Sequence, residues 1–224
     1  MSNTKAYKGV AMEGPIAAWY TKLTFKDINR HKLMAARLAD KIPAGGRVLE
    51  IAPGPGYFCI ELAKLGKFKI TGLDISKSFV EIAQKNALAA GLPIDFRQGN
   101  ASALPFDSAS FDFTFCQAAF KNFSQPVQAI AEMYRVLRPG GQAIIVDVRN
   151  DATPQDIEQE LKGMHLGRVD EWMTRFTFKQ MLLKSAYSVA EMKSMIAQTP
   201  FGSGQIDASG IGFTIWLEKG GKSK

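Results

Sequence analysis

The sequence predicts an α/β fold built on a doubly wound, mostly parallel sheet. Between residues 45 and 150, five short apolar segments alternate with segments of helical periodicity. The first apolar segment runs into a glycine turn that opens a helix, in Arg47-Val-Leu-Glu-Ile-Ala-Pro-Gly-Pro-Gly-Tyr57. Strands that alternate with helices pair in parallel, and the helices cover both faces of the sheet. With 224 residues, the chain is long enough for one such domain with a sizeable core.

We expect a single domain over residues 1–224, divided into four parts. These are an N-terminal helical cap (1–44), a cofactor-binding core (45–150), a helical lid with a following helix (151–203), and closing strands (204–219). In the cap, apolar residues recur at spacings of three or four from Pro15 to Ile42, which is typical of helices. The stretch Pro43-Ala-Gly-Gly46 ends this helical segment.

The core is predicted to contain five strands and three helices. The strands cover residues 47–52, 69–74, 94–98, 111–116 and 142–147. The helices begin at Phe58, at a capping box of Ser78 with Glu81, and at Pro126. They end at Leu65, Ala90 and Leu137, and Arg138-Pro-Gly-Gly141 is predicted to be a turn.

Beyond the core, residues 153 to 198 are predicted to be mostly helical. The signals are an N-cap at Thr153 before Pro154 and capping-box patterns of Thr177 with Gln180 and Ser188 with Glu191. Two strands, 204–207 and 213–217, then complete a seven-stranded sheet.

The net charge of +7 comes almost wholly from residues 1–47, where nine Lys or Arg accompany three acidic residues. Such a segment can attract an anionic substrate or nucleic acid, although a solvated helix face is the commoner use of such charge. With no apolar run of about 20 residues and no signal-peptide core, we expect a cytoplasmic protein without a membrane span. Cys59 and Cys116 are expected to be reduced core residues, and no metal site is expected.

The glycine turn and three later polar positions indicate the kind of ligand. A nicotinamide fingerprint needs a third glycine where Cys59 stands, and no Gly-Lys-Ser or Gly-Lys-Thr of a Walker loop follows the turn. Asp74 ends the second strand, 20 residues after Gly54, where a carboxylate can accept both hydroxyls of a ribose. Asn100 can meet an adenine edge, and Glu50 can act on an ammonium. Together they suit a ligand with adenine, ribose and a cationic amino-acid tail.

These segments resemble the motifs of class I S-adenosylmethionine-dependent methyltransferases, in the small-molecule group that includes the ubiquinone and menaquinone biosynthesis C-methyltransferases. The resemblance covers residues 45–150 and lies in Val48-Leu-Glu-Ile-Ala-Pro-Gly-Pro-Gly56, Gly72-Leu-Asp-Ile75, Gly99-Asn-Ala-Ser-Ala-Leu-Pro-Phe106, Phe111-Asp-Phe-Thr-Phe-Cys116 and Arg135-Val-Leu-Arg-Pro-Gly-Gly141. It implies a Rossmann-like fold, S-adenosyl-L-methionine as cofactor, S-adenosyl-L-homocysteine as product, and in-line methyl transfer to oxygen, nitrogen or carbon of a small organic molecule.

The resemblance also implies which residues form the cofactor site. They are Glu50, Ala52, Pro53, Gly54, Gly56, Tyr57, Asp74, Ile75, Phe79, Asn100, Ala101, Gln117 and Ala118. The chain departs from the family in three places. Ala52-Pro53 stands where Gly-Cys or Gly-Ser is more frequent, Asn100 replaces an aspartate, and Lys121-Asn122 stands where many relatives carry histidines.

The acceptor is expected to meet Trp19, Tyr20, Lys121 and Arg149, with His165 as the candidate general base because its ordinary pKa lies near neutrality. Two other functions stay open. One is RNA or nucleic-acid methylation through the basic N-terminus. The absence of the (N/D)PP(Y/F) motif of exocyclic-amine methylases speaks against it. The other is an inactive S-adenosylmethionine-binding protein. The sequence leaves open the acceptor and whether the protein is a homodimer.

Overall fold

In a computed structural model, residues 7–8, 12–66, 68–163 and 185–221 are described, and their strands form one sheet. The strands are β1 (Arg47–Ile51), β2 (Lys69–Asp74), β3 (Asp95–Gln98), β4 (Phe111–Gln117), β5 (Leu137–Val148), β6 (Gln205–Ser209) and β7 (Gly212–Glu218). The helices are α1 (Gly14–Phe25), α2 (Ile28–Ala39), α3 (Tyr57–Ala63), α4 (Lys77–Ala89), α5 (Pro126–Val136), α6 (Pro154–Gly163) and α7 (Val189–Ala197).

The order of strands in the sheet is β3-β2-β1-β4-β5-β7-β6. Strands β1 to β5 are parallel to one another, whereas β7 runs antiparallel to both β5 and β6. The chain therefore changes winding direction between β1 and β4. In open α/β sheets, ligands bind outside the carboxyl ends of the strands at this change of direction. The predicted seven-stranded, mostly parallel sheet is confirmed.

The two faces of the sheet are covered by separate apolar layers, because side chains alternate along each strand. Leu49 and Ile51 of β1 belong to the layer under α5 and α7. Val48 belongs to the layer under α2, α3 and α4. Glu50 lies on the Val48 side of this alternation, so a carboxyl group stands among apolar side chains.

The cap contains two helices rather than one continuous segment to Ile42. Helix α1 ends at Phe25, and α2 begins only at Ile28. The apolar spacing predicts helix throughout, because it carries no signal for the break at Lys26 and Asp27. There, backbone hydrogen bonds close a turn.

Two boundaries inside the core differ from the prediction. The N-cap of α4 is Ser76, whose hydroxyl accepts from the Phe79 backbone N–H, so the capping box at Ser78 with Glu81 is wrong. The predicted turn at residues 138–141 lies within β5, where the register against β4 is irregular. Gly140, with φ of +80°, adopts the left-handed conformation needed there.

Other signals are confirmed. Thr153 caps α6, with its hydroxyl accepting from the Asp156 N–H, and Ser188 with Glu191 forms a capping box at α7. Both cysteines are free and buried. The pattern of Thr177 with Gln180 lies outside the described residues. None of the helices in the described ranges is both long and apolar enough to cross a membrane.

Candidate functional site

The glycine turn after β1 is held against the end of β2 by backbone hydrogen bonds. The Gly54 N–H donates to Oδ2 of Asp74 at 3.0 Å, and the Gly56 N–H donates to the Pro53 carbonyl at 3.0 Å. Gly56, with φ of +80°, has no room for a side chain, because a Cβ there would lie 2.8 Å from Cζ of Phe96. A Cβ on Gly54 would meet no atom within 4 Å. The turn thus offers open space beside a fixed backbone.

Asp74 joins this turn to the start of α4. Its Oδ1 accepts from the Ser76 N–H at 2.9 Å, while Oδ2 accepts from Gly54. Burial raises the pKa of the carboxyl group, and the N–H donors of Ser76 and Gly54 oppose that rise. Because each carboxylate oxygen can accept more than one hydrogen bond, acceptor capacity remains for ligand hydroxyls.

Glu50 is the second buried carboxyl group at this edge, with 4% of its surface exposed. The Cys59 thiol donates to Oε2 of Glu50 at 2.9 Å. Burial raises the pKa of Glu50 to about 7, although the Cys59 hydrogen bond lowers it. Cys59 therefore occupies the place of the third fingerprint glycine and also supplies a donor to this carboxyl group.

Most of the remaining residues predicted to meet the cofactor on this side follow β2 and β3. Oδ1 of Asn100 accepts from the Ser102 N–H at 2.9 Å, which leaves its Nδ2 without a hydrogen-bond partner among the described residues. The Ile75 carbonyl accepts from Nε2 of Gln98 at 3.1 Å. Phe79 and Ala101 are buried, and Pro53 is buried as well. The structure thus brings these predicted residues together around the ends of β1, β2 and β3.

At the end of β4, Gln117 and Ala118 carry two signs of a ligand site. Oε1 of Gln117 is buried without a hydrogen-bond partner in the described part of the chain. Ala118 has φ of +56°, and Ala52, after the neighbouring β1, has φ of +57°. Left-handed alanines are strained by about 1 kcal/mol, and such strain clusters at functional sites.

Tyr57 faces the cap rather than the open space at Gly54. Its hydroxyl donates to the Thr21 carbonyl of α1 at 3.0 Å, and its ring lies 5.8 Å from that of Phe25 and 5.9 Å from that of His31. Tyr57 therefore ties the cap to the helix that follows the glycine turn.

The structure separates the two aromatic residues predicted to meet the acceptor. Tyr20 stacks edge-on against Phe79 at 5.8 Å, and its pKa is raised by burial and by the charges of Asp147, Asp27 and Asp74. Trp19 is 61% exposed on the outward side of α1. Successive helical residues lie about 100° apart, so both cannot face the sheet. Acceptor binding by Trp19 or Tyr20 stays a prediction, and only Tyr20 of the two faces the described part of the sheet.

Lys121 and Arg149 are already engaged by protein groups. The Lys121 ammonium lies 3.1 Å from Oδ1 of Asp147 and donates to the Ala118 carbonyl at 2.7 Å. Both partners of the ion pair are buried. Arg149 donates to the Gly210 carbonyl and forms ion pairs with two carboxylates, those of Asp151 and Asp156. Acceptor binding by either residue stays a prediction, and His165 lies outside the described residues.

Several functional positions were not foreseen from the sequence. The Glu13 carboxylate accepts from the N–H groups of Lys77 and Ser78, each at 3.0 Å, and Ser76 Oγ donates to the Met12 carbonyl. The N-terminal segment is therefore fastened beside Asp74. Ser76 could have been found as a serine just after a predicted strand. Glu13 lies 64 residues from its partners, and no local pattern marks it.

The charges at this edge suit a cationic ligand that carries hydroxyl groups. Glu50, Asp74 and Asp147 are three buried carboxyl groups at the ends of β1, β2 and β5, and within the described ranges Asp147 alone of the three has a buried cation as partner. Together with the unpaired Gln117 oxygen and the space at Gly54, they fit the ammonium, sulfonium and ribose of S-adenosyl-L-methionine.

Comparisons with known proteins agree with this geometry. The family model for the methyltransferase domain matches residues 49–145. A demethylmenaquinone methyltransferase of Deinococcus radiodurans is 40% identical over 102 residues, which are 45% of this chain and 42% of that protein. A demethylmenaquinone methyltransferase of Lactococcus lactis is 32% identical over 183 residues, which are 77% of this chain and 71% of that protein. The chain spans under half of the length of the Deinococcus relative.

Among solved structures, a protein of Methanococcus maripaludis assigned to the S-adenosyl-L-methionine-dependent methyltransferases superposes with a TM-score of 0.73 at 24% identity. The superposition covers 100% of this chain and 99% of that one. At this identity the likeness concerns the fold alone. The match to the Lactococcus protein, in contrast, extends over more than two thirds of both chains. The chain therefore belongs to the class I S-adenosyl-L-methionine-dependent methyltransferases of the demethylmenaquinone methyltransferase type.

Proposed function

We propose that this chain transfers a methyl group from S-adenosyl-L-methionine to a quinone-type small molecule. The observation that carries the proposal is the hydrogen bond between Asp74 and the Gly54 turn, beside buried Glu50, where the sheet changes winding direction. The quinone class is taken from the relatives, which are named demethylmenaquinone methyltransferases.

Each polar residue of the cofactor half is assigned to one part of the cofactor. Asp74 accepts the ribose hydroxyls, and its position is kept by the Gly54 and Ser76 N–H groups. Glu50, when ionised, neutralises the cofactor ammonium. Asn100 offers Nδ2 to an adenine nitrogen, and Gln117 directs its unpaired oxygen to the amino-acid end. The cofactor supplies an electrophilic methyl group, and these residues fix its direction.

The acceptor half aligns the nucleophile and excludes water. In-line displacement gains most from orientation and desolvation, so no catalytic dyad is required. Tyr20, with its raised pKa, stays protonated at neutral pH and can donate a hydrogen bond to an acceptor oxygen. Ring carbon of a quinol is a much stronger nucleophile when a ring hydroxyl releases its proton, and His165 remains the proposed base for that proton.

The test is formation of S-adenosyl-L-homocysteine by the full chain with a panel of acceptors. The panel contains reduced naphthoquinones and benzoquinones without the ring methyl group, simple phenols, amines and RNA. Turnover with the reduced quinones and a methyl group on ring carbon are expected. Turnover with RNA alone would overturn the acceptor class. Tight cofactor binding without turnover on any acceptor would favour the inactive binding protein.

No feature of the site favours these two alternatives. Residues 48–150 carry nearly balanced charge, so the core that bears the cofactor site offers no basic surface for nucleic acid. A cytoplasmic location and a homodimer remain proposals. Cell fractionation and light scattering on the purified chain would test them.

A further inference from the structure

Helix α1 has apolar residues on both of its sides. Inward, Ala17 is fully buried and Tyr20 contacts Phe79. Outward, Ile16, Trp19 and Leu23 recur at i, i+3 and i+7 and are 42%, 61% and 44% exposed. We call these three side chains the outer stripe. A helix that is apolar all round normally has a partner on each side, and large exposed apolar patches mark interaction surfaces.

Cations border the outer stripe. Lys22 follows Trp19 by three residues and Lys26 follows Leu23 by three, so each lies one turn along the exposed side of the helix. Neither lysine forms an ion pair with another described residue. From the start of α1 to the end of α2, including the connection between them, five Lys or Arg accompany a single carboxylate, that of Asp27.

Helix α2 repeats this combination. Leu33 is 73% exposed, and Arg30 and Arg37 lie one turn to either side of it. Both helices of the cap thus present aliphatic or aromatic side chains to solvent between cations.

We propose that the outer stripe and its basic border dock the cap on an anionic lipid surface. A tryptophan within an apolar stripe, with lysines beside it, is the composition of helices that lie in the membrane interface. The apolar side chains enter the boundary between headgroups and acyl chains, and the cations pair with lipid phosphates. Each Lys or Arg near such a surface contributes about 1 kcal/mol.

Other occupants suit the outer stripe less well. A symmetric contact with a second copy would place the lysines of both chains against each other without acidic partners. RNA would use the cations and could stack on Trp19, but it would leave Ile16 and Leu23 without apolar contact. The proposal does not depend on which methyl acceptor the site takes, so it can fail or hold independently of the proposed function.

The test measures co-flotation of the full chain with vesicles of phosphatidylcholine mixed with phosphatidylglycerol, and with vesicles of phosphatidylcholine alone. Trp19→Ala/Leu23→Ala removes most of the outer stripe, and its control is Leu88→Ala, because Leu88 on α4 is 81% exposed. Lys22→Glu/Lys26→Glu reverses the charge of the basic border. Its control, Lys85→Glu/Lys193→Glu, changes the net charge equally at two exposed lysines of α4 and α7.

We expect binding to the anionic vesicles that weakens with salt, and little binding to the neutral ones. Both α1 variants should bind at least about tenfold more weakly, while both controls stay within about twofold of the wild type. Unchanged melting temperatures and cofactor affinity would show that the variants are folded.

Failure of the wild type to float with anionic vesicles, or equal binding by the Trp19→Ala/Leu23→Ala variant, would overturn the proposal. The proposal would also be overturned if light scattering showed a dimer that the Trp19→Ala/Leu23→Ala variant no longer forms, and if no vesicle binding were observed. Salt-sensitive RNA binding lost only in Lys22→Glu/Lys26→Glu, without vesicle binding, would assign the surface to nucleic acid.

Discussion

At the carboxyl edge of the sheet, the proposed cofactor side and the proposed acceptor side are stabilised by contacts that differ in sequence separation. On the cofactor side, Asp74 binds groups 2 and 20 residues away, and Glu50 binds a thiol 9 residues away. On the acceptor side, Lys121 pairs with a carboxylate 26 residues away. The cap is attached over longer separations still, with Tyr57 bonded to α1 across 36 residues and Glu13 to α4 across 64.

This difference indicates how the two functions of the site can vary separately. Short-range contacts fix the backbone of the cofactor half within one βαβ unit, so a single ligand geometry is retained. The proposed acceptor half consists of side chains on the cap and at the ends of β4 and β5. Its shape therefore depends on the packing of the cap, whereas the Gly54–Asp74 hydrogen bond of the cofactor half is made within the core. The cap reaches the cofactor half as well, through the contact of Tyr20 with Phe79.

The largest effect is expected from Lys121→Met. The substitution leaves the Asp147 carboxylate buried without its cation, which typically costs about 3–5 kcal/mol of the free energy of unfolding. Urea denaturation would measure it. Lys77→Met is the control, since the Lys77–Glu81 pair is exposed on both sides and should contribute under about 0.5 kcal/mol. Equal stabilities of the two variants would show that the acceptor half does not depend on this pair.

The next largest effect is expected from Asp74→Ala on the cofactor half. The variant loses the ribose acceptor and leaves the Gly54 and Ser76 N–H groups without their partner. Affinity for S-adenosyl-L-homocysteine in calorimetry should fall about hundredfold, or roughly 3 kcal/mol. Asp95→Ala, at an exposed carboxylate at the opposite end of the sheet, serves as control. Undiminished affinity in Asp74→Ala would refute the assignment of the cofactor site.

We expect Glu50 to make the affinity for the cofactor depend on pH. Because the pKa of Glu50 is about 7 in the folded protein, above its ordinary value of 4.5, cofactor binding to the ionised carboxylate below pH 7 must release a proton from Glu50. Affinity for S-adenosyl-L-methionine should therefore fall as the pH is lowered below 7, by up to about tenfold per pH unit. In Glu50→Gln this dependence should vanish, with about tenfold weaker binding at pH 8.

The same carboxyl group should lower the stability of the ligand-free protein at high pH. The folded state holds the Glu50 proton more tightly than the unfolded state, so stability falls as the pH rises from 4.5 to about 7 and stays low above it. Glu50→Gln should thus stabilise the ligand-free protein at pH 8, by about 2 kcal/mol, and hardly at pH 5. Equal melting curves of both proteins at pH 8 would contradict the raised pKa.

The cofactor half was predictable from the sequence because its determinants are local. A glycine turn after an apolar strand, and Asp74 at the end of the next strand, lie within one supersecondary unit, and the structure brings them into hydrogen-bond contact. The cap was not predictable in the same way. Periodicity showed that α1 is helical, but it could not show that Tyr20 faces inward and Trp19 outward, since both sides of this helix are apolar.

Contacts made across long separations were also beyond a reading of the sequence. Lys121 stands where many relatives carry histidines, but its burial against Asp147 depends on how β4 and β5 meet in the sheet. Asp147 itself ends an apolar strand and carries no motif. Such pairs follow from the three-dimensional arrangement of strands, which composition and spacing do not encode.

The smallest effect is expected from substitutions that test whether the left-handed backbone at the ends of β1 and β4 contributes to ligand binding. Ala52 and Ala118 adopt left-handed φ values at the ends of β1 and β4, whereas Ala109 does so in a loop away from the site. Glycine relieves this strain but costs unfolded-state entropy, so each Ala→Gly variant should gain about 0.5–1 kcal/mol, or roughly 1–4 °C in melting temperature.

Cofactor affinity then separates the three positions. Ala109→Gly is the control and should leave affinity unchanged. If the left-handed backbone is kept rigid to shape the site, Ala52→Gly should weaken cofactor binding by about twofold to threefold although it stabilises the fold, because a more mobile turn must be ordered when the ligand binds. Ala118→Gly should change the KM for the acceptor more than the affinity for the cofactor. Identical behaviour of all three variants would mean that the strain is a by-product of the strand ends and serves neither half.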